Sequence, residues 1–459
     1  MLCLALGRTA LRRHGLAARS AAVRAYTPGS QRISPERLNT SLHDSCKWGA
    51  AFRWGSDPRE TGMARLTLDD ADFAARRWLS TEMQALGCHE AVDAMGNQFF
   101  KRKGRREGPP IAVGSHLDTQ PAAGRYDGIL GIHAGLEMMR VLYENNVETE
   151  HPLALVNWTN EEGARFPRSL CGSAVWAGTA QLDDFHALRD VKRPDVTLKA
   201  ELLRGGYLGD VTCSHQANPL AAHFELHIEQ GPILERAGKR IGVVLGGQAY
   251  SWFTLTVRGQ ANHSGTTPLD ARADAMLATA RIIDRAHQLA RKHSGLASTG
   301  IISAEPGSIN TLPSSVVFTL DVRHASGEKL SRLIADIRSA AADVTSEPST
   351  QGCAIEWRTE FESPEIRFNA ACIDAVREAA VRTVGADAAM DVYSGAGHDS
   401  CSTAQAAAGS ACPTTMVFVP SRDGITHNPR EWSSPEACAD GAQVILDAVL
   451  TYDACAGRA

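Results

Sequence analysis

Residues 109–119, PPIAVGSHLDT, residues 127–146, DGILGIHAGLEMMRVLYENN, and residues 151–162, HPLALVNWTNEE, decide the fold of this chain. The first reads as a short apolar strand ending in polar residues, and the third as another, with its apolar run over Leu153–Trp158. Between them, apolar residues recur at helical spacing from Asp127 onward. AAHFELHIEQGP, residues 221–232, is a further expected strand. Strands alternating with helices predict an α/β fold: a mostly parallel central sheet flanked by helices. In such a sheet the ligand lies beyond the carboxyl ends of the strands. His116, Asp118, Glu161, Glu162 and His227 all fall there.

The pattern changes between residues 239 and 351. Partly alternating strand-like segments, GVVLGGQAYSWFTLTVRG and SSVVFTLDVRH, mix with amphipathic helices over 270–293 and 327–344. This predicts an α+β insert over 239–351 within a domain made of 38–238 and 352–459. A helix over 373–384, a strand at TTMVFVPS and a helix capped near Ser433 or Ser434 return the chain to the first domain. A length of 459 residues accommodates two or three such units.

Net charge and hydropathy exclude several classes. A formal charge of −5 gives no basic field for nucleic acid or anionic lipid. No apolar run approaches the ~20 residues that span a bilayer. Eleven dispersed cysteines without C-x-x-C spacing fit reduced thiols rather than a disulfide framework or a thiolate zinc site. Residues 1–30 carry Arg8, Arg12, Arg13, Arg19 and Arg24, and no acidic residue precedes Glu36. That is the composition of a mitochondrial transit peptide, or else of a plain basic tail. The first reading predicts the mitochondrial matrix, the second the cytoplasm.

Glu161 and Glu162 pose the chemical question. Adjacent carboxylates at a strand end are either a solvated turn or the acid/base edge of a metal site. His116 and Asp118 are two apart, which on a strand puts both side chains on one side, so that Asp118 can orient the imidazole for metal binding. Asp127 at a helix start is an N-cap or a carboxylate able to bridge two cations. If Glu162 binds metal, Glu161 is left to carry a proton for water. His227 and His427 would complete five ligands, each being otherwise an ordinary core or surface histidine. Imidazole and carboxylate without thiolate suit zinc, with manganese, cobalt or nickel as alternatives.

GSHLDT (114–119), GRYDGILG (124–131), NEEGARFPRSLCGSAVWAG (160–178), FELHIEQGP (224–232), ANHSGTTP (261–268) and GITHNPREWSSPE (424–436) closely resemble the N-carbamoyl-amino-acid amidohydrolases. This group, comprising β-alanine synthase, N-carbamoyl-L-amino-acid hydrolase and allantoate amidohydrolase, lies in the wider clan of di-zinc aminoacylases and carboxypeptidases. The resemblance runs from about residue 38 to 450. It implies two divalent cations, one held by His116 and His227, the other by Glu162 and His427, with Asp127 between them and Glu161 as general base. His227 stands where the wider clan often has an acidic ligand, which favours the carbamoyl branch. The resemblance also implies that the insert is a lid carrying a homodimer interface, with His263 reaching the partner subunit's site to stabilise an oxyanion. Gln230, Asn310, Arg323 and His398 sit where the group contacts substrate. Arg323 could grip a carboxylate through two parallel hydrogen bonds, or form a surface salt bridge. His398, beside Asp399, could be taken for a ligand in place of His427. The implied reaction is hydrolysis of the ureido C–N bond of N-carbamoyl-β-alanine or N-carbamoyl-L-amino acids to amino acid, carbon dioxide and ammonia. The alternatives are allantoate amidohydrolase and, further off, an aminoacylase or dipeptidase.

Overall fold

The computed structural model describes residues 26–406 and 412–456. The Arg-rich leader through residue 25 lies outside the described residues. Nine strands form the larger sheet, in the order Ile366–Arg367, Ile241–Gly247, Thr414–Val419, Ala222–Ile228, Ile111–His116, Leu153–Trp158, Gln98–Arg102 and His89–Val92, with Ala389–Ser394 also pairing with Ile241–Gly247. Thr414–Val419, Ala222–Ile228, Ile111–His116 and Leu153–Trp158 run parallel, so their carboxyl ends share one edge. The strands from Ile366–Arg367 to Ile241–Gly247 on one flank and at Gln98–Arg102 on the other pair antiparallel.

Every residue of those four parallel strands is buried, as a sheet covered on both faces requires. Successive side chains alternate between two cores. Val113 and Leu155 pack with the helices Pro35–Ser45, Ile129–Glu144, Ala370–Val384 and Pro435–Ala456. Ala112, Ala154, Val156 and Trp158 pack with Cys171–Ala177 and Leu198–Gly205. The helix Ile129–Glu144 approaches the sheet so closely that a Cβ on Gly135 would stand 2.4 Å from a Leu155 methyl.

The second sheet is antiparallel: Leu296–Ser298, Ser315–His324, Ala249–Arg258 and Ala354–Ser363, with Ile302–Glu305 also on Ser315–His324. Helices Ala275–His293 and Gly327–Val344 cover one face. Asp274 accepts the N–H groups of Met276 and Leu277, and Ser326 that of Lys329, caps worth about 1 kcal/mol each. Along Ala249–Arg258, residues 249, 251, 253, 255 and 257 are buried while Tyr250 and Trp252 point away from the helices.

The insert boundaries differ from the expected 239 and 351. Ile241–Gly247 belongs to the larger sheet, and Ala354–Ser363 pairs with Ala249–Arg258 in the smaller one. Within GVVLGGQAYSW only Gln248 separates the two strands, too short a break to mark where the chain changes sheet. All ten cysteines of the described residues are free. Among the described residues no helix is long and apolar enough to cross a membrane.

Candidate metal centre

Four strand ends deliver the site. His116 is the last residue of its strand, Glu161 and Glu162 follow Leu153–Trp158, His227 lies near the end of Ala222–Ile228, and His427 follows Thr414–Val419. The chain leaves these ends through left-handed residues, Asn160, Gln230 and His427, with φ of 56°, 60° and 50°. Asp127 precedes the helix Ile129–Glu144, whose N-cap is Gly128 at φ 66°. A Cβ on Gly128 would stand 2.3 Å from the His116 ring, so any side chain there displaces the imidazole.

Asp127 does not cap that helix; its carboxylate faces three imidazoles. Oδ1 is 3.0 Å from His227 Nε2 and 3.6 Å from His116 Nε2. Oδ2 is 3.4 Å from His427 Nε2. His427 Nε2 is also 3.4 Å from Glu162 Oε2. Two groups of potential ligands result, His116–Asp127–His227 and Asp127–Glu162–His427. Ligands about 2.0–2.1 Å from one tetrahedral cation stand about 3.3 Å apart, which these separations bracket.

The tautomers fit as well. Nδ1 of His116 donates to the Asp118 carbonyl at 2.9 Å, and Nδ1 of His227 to the Ile228 carbonyl at 2.8 Å. In the neutral ring each Nε2 is therefore the acceptor, and that of His227 takes the Gly128 N–H at 3.2 Å. On His116 that atom is buried without a hydrogen-bond partner. A divalent cation would satisfy it.

Electrostatics point the same way. Burial opposes charge on Asp127, but His227, His116 and His427 hold its carboxyl well below the usual range. Burial, joined by Asp399, Glu162 and Asp127, holds Glu161 well above it. Burial and Asp127 push Glu162 up to about 7. Hydrogen bonding to Asp127 raises His427 to about 9. Buried carboxylates thus crowd around three imidazoles, and divalent cations would offset that negative charge. Glu161 stands 3.6 Å from His116 Nε2 and belongs to neither ligand group.

Asp118 corrects an expectation. The strand ends at His116, so the two-residue alternation does not extend to Asp118, whose carboxylate is 4.0 Å from the imidazole. It instead accepts the main-chain N–H groups of Glu161 and Glu162, at 3.4 and 3.3 Å, and so fixes the acid pair. Gln230 donates to Asp127 Oδ2 at 2.7 Å. His398 is buried, its ring 4.4 Å from that of His227, and it groups with Glu225 and His227 rather than replacing His427. Burial keeps its imidazole well below the usual pKa, hence neutral.

The insert contributes separately. Arg323 donates to Asp321 through two nitrogens and to the Gly395 carbonyl, and its guanidinium lies 4.9 Å from the Tyr250 ring centre. The salt-bridge reading of Arg323 therefore holds in this form. His263 and Asn310 are neighbours, joined by a bridge to Thr311 and by Ser264 N–H to the Asn310 carbonyl, and their hydrogen bonds stay within the insert.

Three supporting residues escaped the reading of the sequence. Gln120 holds Glu162 through its main-chain and side-chain N–H groups, at 3.1 and 2.7 Å. Thr426 donates to Asp127 Oδ2, and Glu431 accepts the main-chain N–H groups of Tyr126 and Asp127. Gln120 and Glu431 lie inside or next to the quoted motifs, and their polarity at a strand end or loop was the available signal.

The profile described as Peptidase family M20/M25/M40 matches residues 112–451. The chain is 38% identical over 427 residues to the N-carbamoyl-L-amino-acid amidohydrolase of Rhizobium meliloti, covering 92% of this chain and 98% of that one. It is 29% identical over 417 residues to the allantoate amidohydrolase of Bacillus subtilis (strain 168), covering 89% and 97%. A solved amidase of the hydantoinase/carbamoylase family from Burkholderia multivorans superposes with a TM-score of 0.84 at 40% identity, over 92% and 98% of the two chains. The matched segment takes in the four parallel strands apart from Ile111, both ligand groups and the whole smaller sheet, and the chain belongs to peptidase family M20/M25/M40.

Proposed function

We propose that the protein is a divalent-metal-dependent amidohydrolase that cleaves the ureido C–N bond of N-carbamoyl amino acids, releasing the amino acid, carbon dioxide and ammonia. One observation carries this reading: His116, His227, Glu162 and His427 gather around the Asp127 carboxylate, while Glu161 stands beside them in neither ligand group. The relatives' names support the substrate class.

His116 and His227 would hold one cation and Glu162 and His427 the other, with Asp127 shared. Imidazole and carboxylate donors make zinc the proposed metal. When bound, such ions supply Lewis acidity and lower the pKa of water. Glu161 takes the proton of the attacking water and returns it to the leaving nitrogen. Arg323 binds the substrate carboxylate, exchanging Asp321 for it, and Gln230, Asn310 and His398 complete the contacts. The smaller sheet acts as a lid and homodimer interface, from which His263 serves the partner subunit's site. Gly265 N–H donates to His263 Nδ1 at 3.1 Å, which puts the ring proton on Nε2, where it can donate to a developing oxyanion.

Metal analysis after extensive dialysis should find two divalent ions per chain. Ammonia release should exceed background with N-carbamoyl-L-methionine or N-carbamoyl-β-alanine and outpace release from allantoate. Faster turnover of allantoate would transfer the assignment to that substrate, and a metal-free, inactive protein would remove the hydrolase reading. Residues 1–30 complete the proposal as a mitochondrial transit peptide. Fused to a fluorescent protein they should direct it to mitochondria; diffuse cytoplasmic fluorescence would show that they do not.

A further inference from the structure

We infer that Arg65 is a positioning residue for the metal centre: it clamps the main chain from Leu117 to Thr119, and through Asp118 it sets both the His116 imidazole and the Glu161–Glu162 pair. The inference rests on the metal binding proposed above, not on the choice of substrate.

Arg65 is fully buried. Its Nε donates to the Leu117 carbonyl at 2.8 Å and its Nη1 to the Ser45 carbonyl at 3.2 Å, while Nη2 has no hydrogen-bond partner. Arg76 and Arg165 are buried as well, but each sits on carboxylates: Arg76 on Asp72 at 2.8 Å, Arg165 on Asp190 and Glu201, both at 2.8 Å. Among the described residues Arg65 makes no such ion pair, and its bonds go to main-chain carbonyls. A guanidinium stays charged inside a protein, and burying it away from any carboxylate is costly. Packing alone gives no reason for that charge, since an apolar side chain fills the same space without the cost.

The main chain of Arg65 closes the other end of the clamp. Its N–H donates to Thr119 Oγ1 at 3.0 Å, and its carbonyl accepts the Thr119 N–H at 2.8 Å. Leu117 and Thr119 are thus fixed on either side of Asp118, just past the point where sheet pairing of Ile111–His116 ends. Asp118 turns two groups to the centre. Its carbonyl takes the Nδ1 proton of His116, and its carboxylate takes the N–H groups of Glu161 and Glu162. The last two contacts are long, at 3.4 and 3.3 Å, so a small displacement of residues 117–119 breaks them. Burial works against the charge of Arg65, while Cys46, Asp72, Asp69 and Asp118 favour it. The guanidinium therefore also offsets part of the acid charge beside the imidazoles.

The test measures zinc affinity of the full-length protein by competition with a chelator, with thermal unfolding and ammonia-release kinetics on the same preparations. Arg65→Met should weaken zinc binding by about 10–100-fold and lower kcat while KM stays unchanged. Thr119→Val keeps the side-chain shape but frees the Arg65 N–H, and should weaken zinc by about 10-fold. Arg37→Met is the control: it breaks the ion pair with the buried Glu137 carboxylate at 2.8 Å and touches no ligand. It should lower the thermal midpoint and leave zinc affinity as it was. Unaltered zinc affinity in Arg65→Met, or in Thr119→Val where Arg65→Met does not fold, overturns the inference. So does an equal loss of zinc from Arg37→Met, which would tie the effect to stability alone. Zinc affinity is read without substrate, so a wrong substrate assignment and a wrong role for Arg65 give different results. Absence of zinc binding in the unaltered protein overturns the proposed metal centre, and this inference with it.

Discussion

Glu161→Gln is expected to keep its fold and its two cations while kcat falls by about 10²–10⁴-fold, the range a positioned general base contributes. The residue is 7% exposed, and glutamine copies its shape. Its backbone is held independently of the carboxylate: the N–H donates to Asp118 and the carbonyl accepts from Leu170. What the substitution removes is the capacity to accept a proton. A carboxyl that burial and neighbouring acids hold well above the ordinary range is a stronger base than a solvated glutamate, which is what the transfer from water requires. Circular dichroism, elemental analysis and ammonia release, measured on one preparation, separate the possibilities. Near-normal kcat would take the proton-transfer role from Glu161, and loss of metal alongside activity would make it a ligand instead.

Asp127→Asn should lower both cation occupancy and turnover. Asp127 is the one residue common to the two ligand groups that flank it, His116–Asp127–His227 and Asp127–Glu162–His427. An amide of the same shape brings no charge to set against two cations, and it turns an acceptor that Gln230 and Thr426 address into a possible donor. Losing only an outer hydrogen-bond partner of a ligand costs about 10–100-fold in metal affinity or activity. The loss here should be larger, with fewer than two ions per chain after dialysis and turnover close to that of chelator-treated protein. A variant that retains two ions and normal turnover would show that Asp127 is not the shared ligand.

Much of the architecture was readable because the signals were local. The run Leu153–Trp158 is flanked by polar residues and buried throughout, and the strand occupies that run. The helix Gly327–Val344 also coincides with its amphipathic segment. Asp118 shows where local reasoning broke down. A rule for alternate side chains on a strand was carried two residues past the strand's end, and the carboxylate went to the Glu161 and Glu162 amides instead. The division at Gln248 was equally hidden, since a single residue separates the two strands and their partners lie in different sheets.

The order of residues along the chain determined the alternation of strands and helices, the presence of an insert, and the kinds of donor gathered at the sheet edge. Those properties follow from side-chain periodicity and residue chemistry over short stretches. Tertiary structure alone decided that Asp127 belongs to both groups of potential ligands, that Thr426 supports it from 299 positions away, and that Glu161 stays outside both groups. Pairing between distant strands sets those distances, and a contact between residues far apart in the chain leaves no local trace.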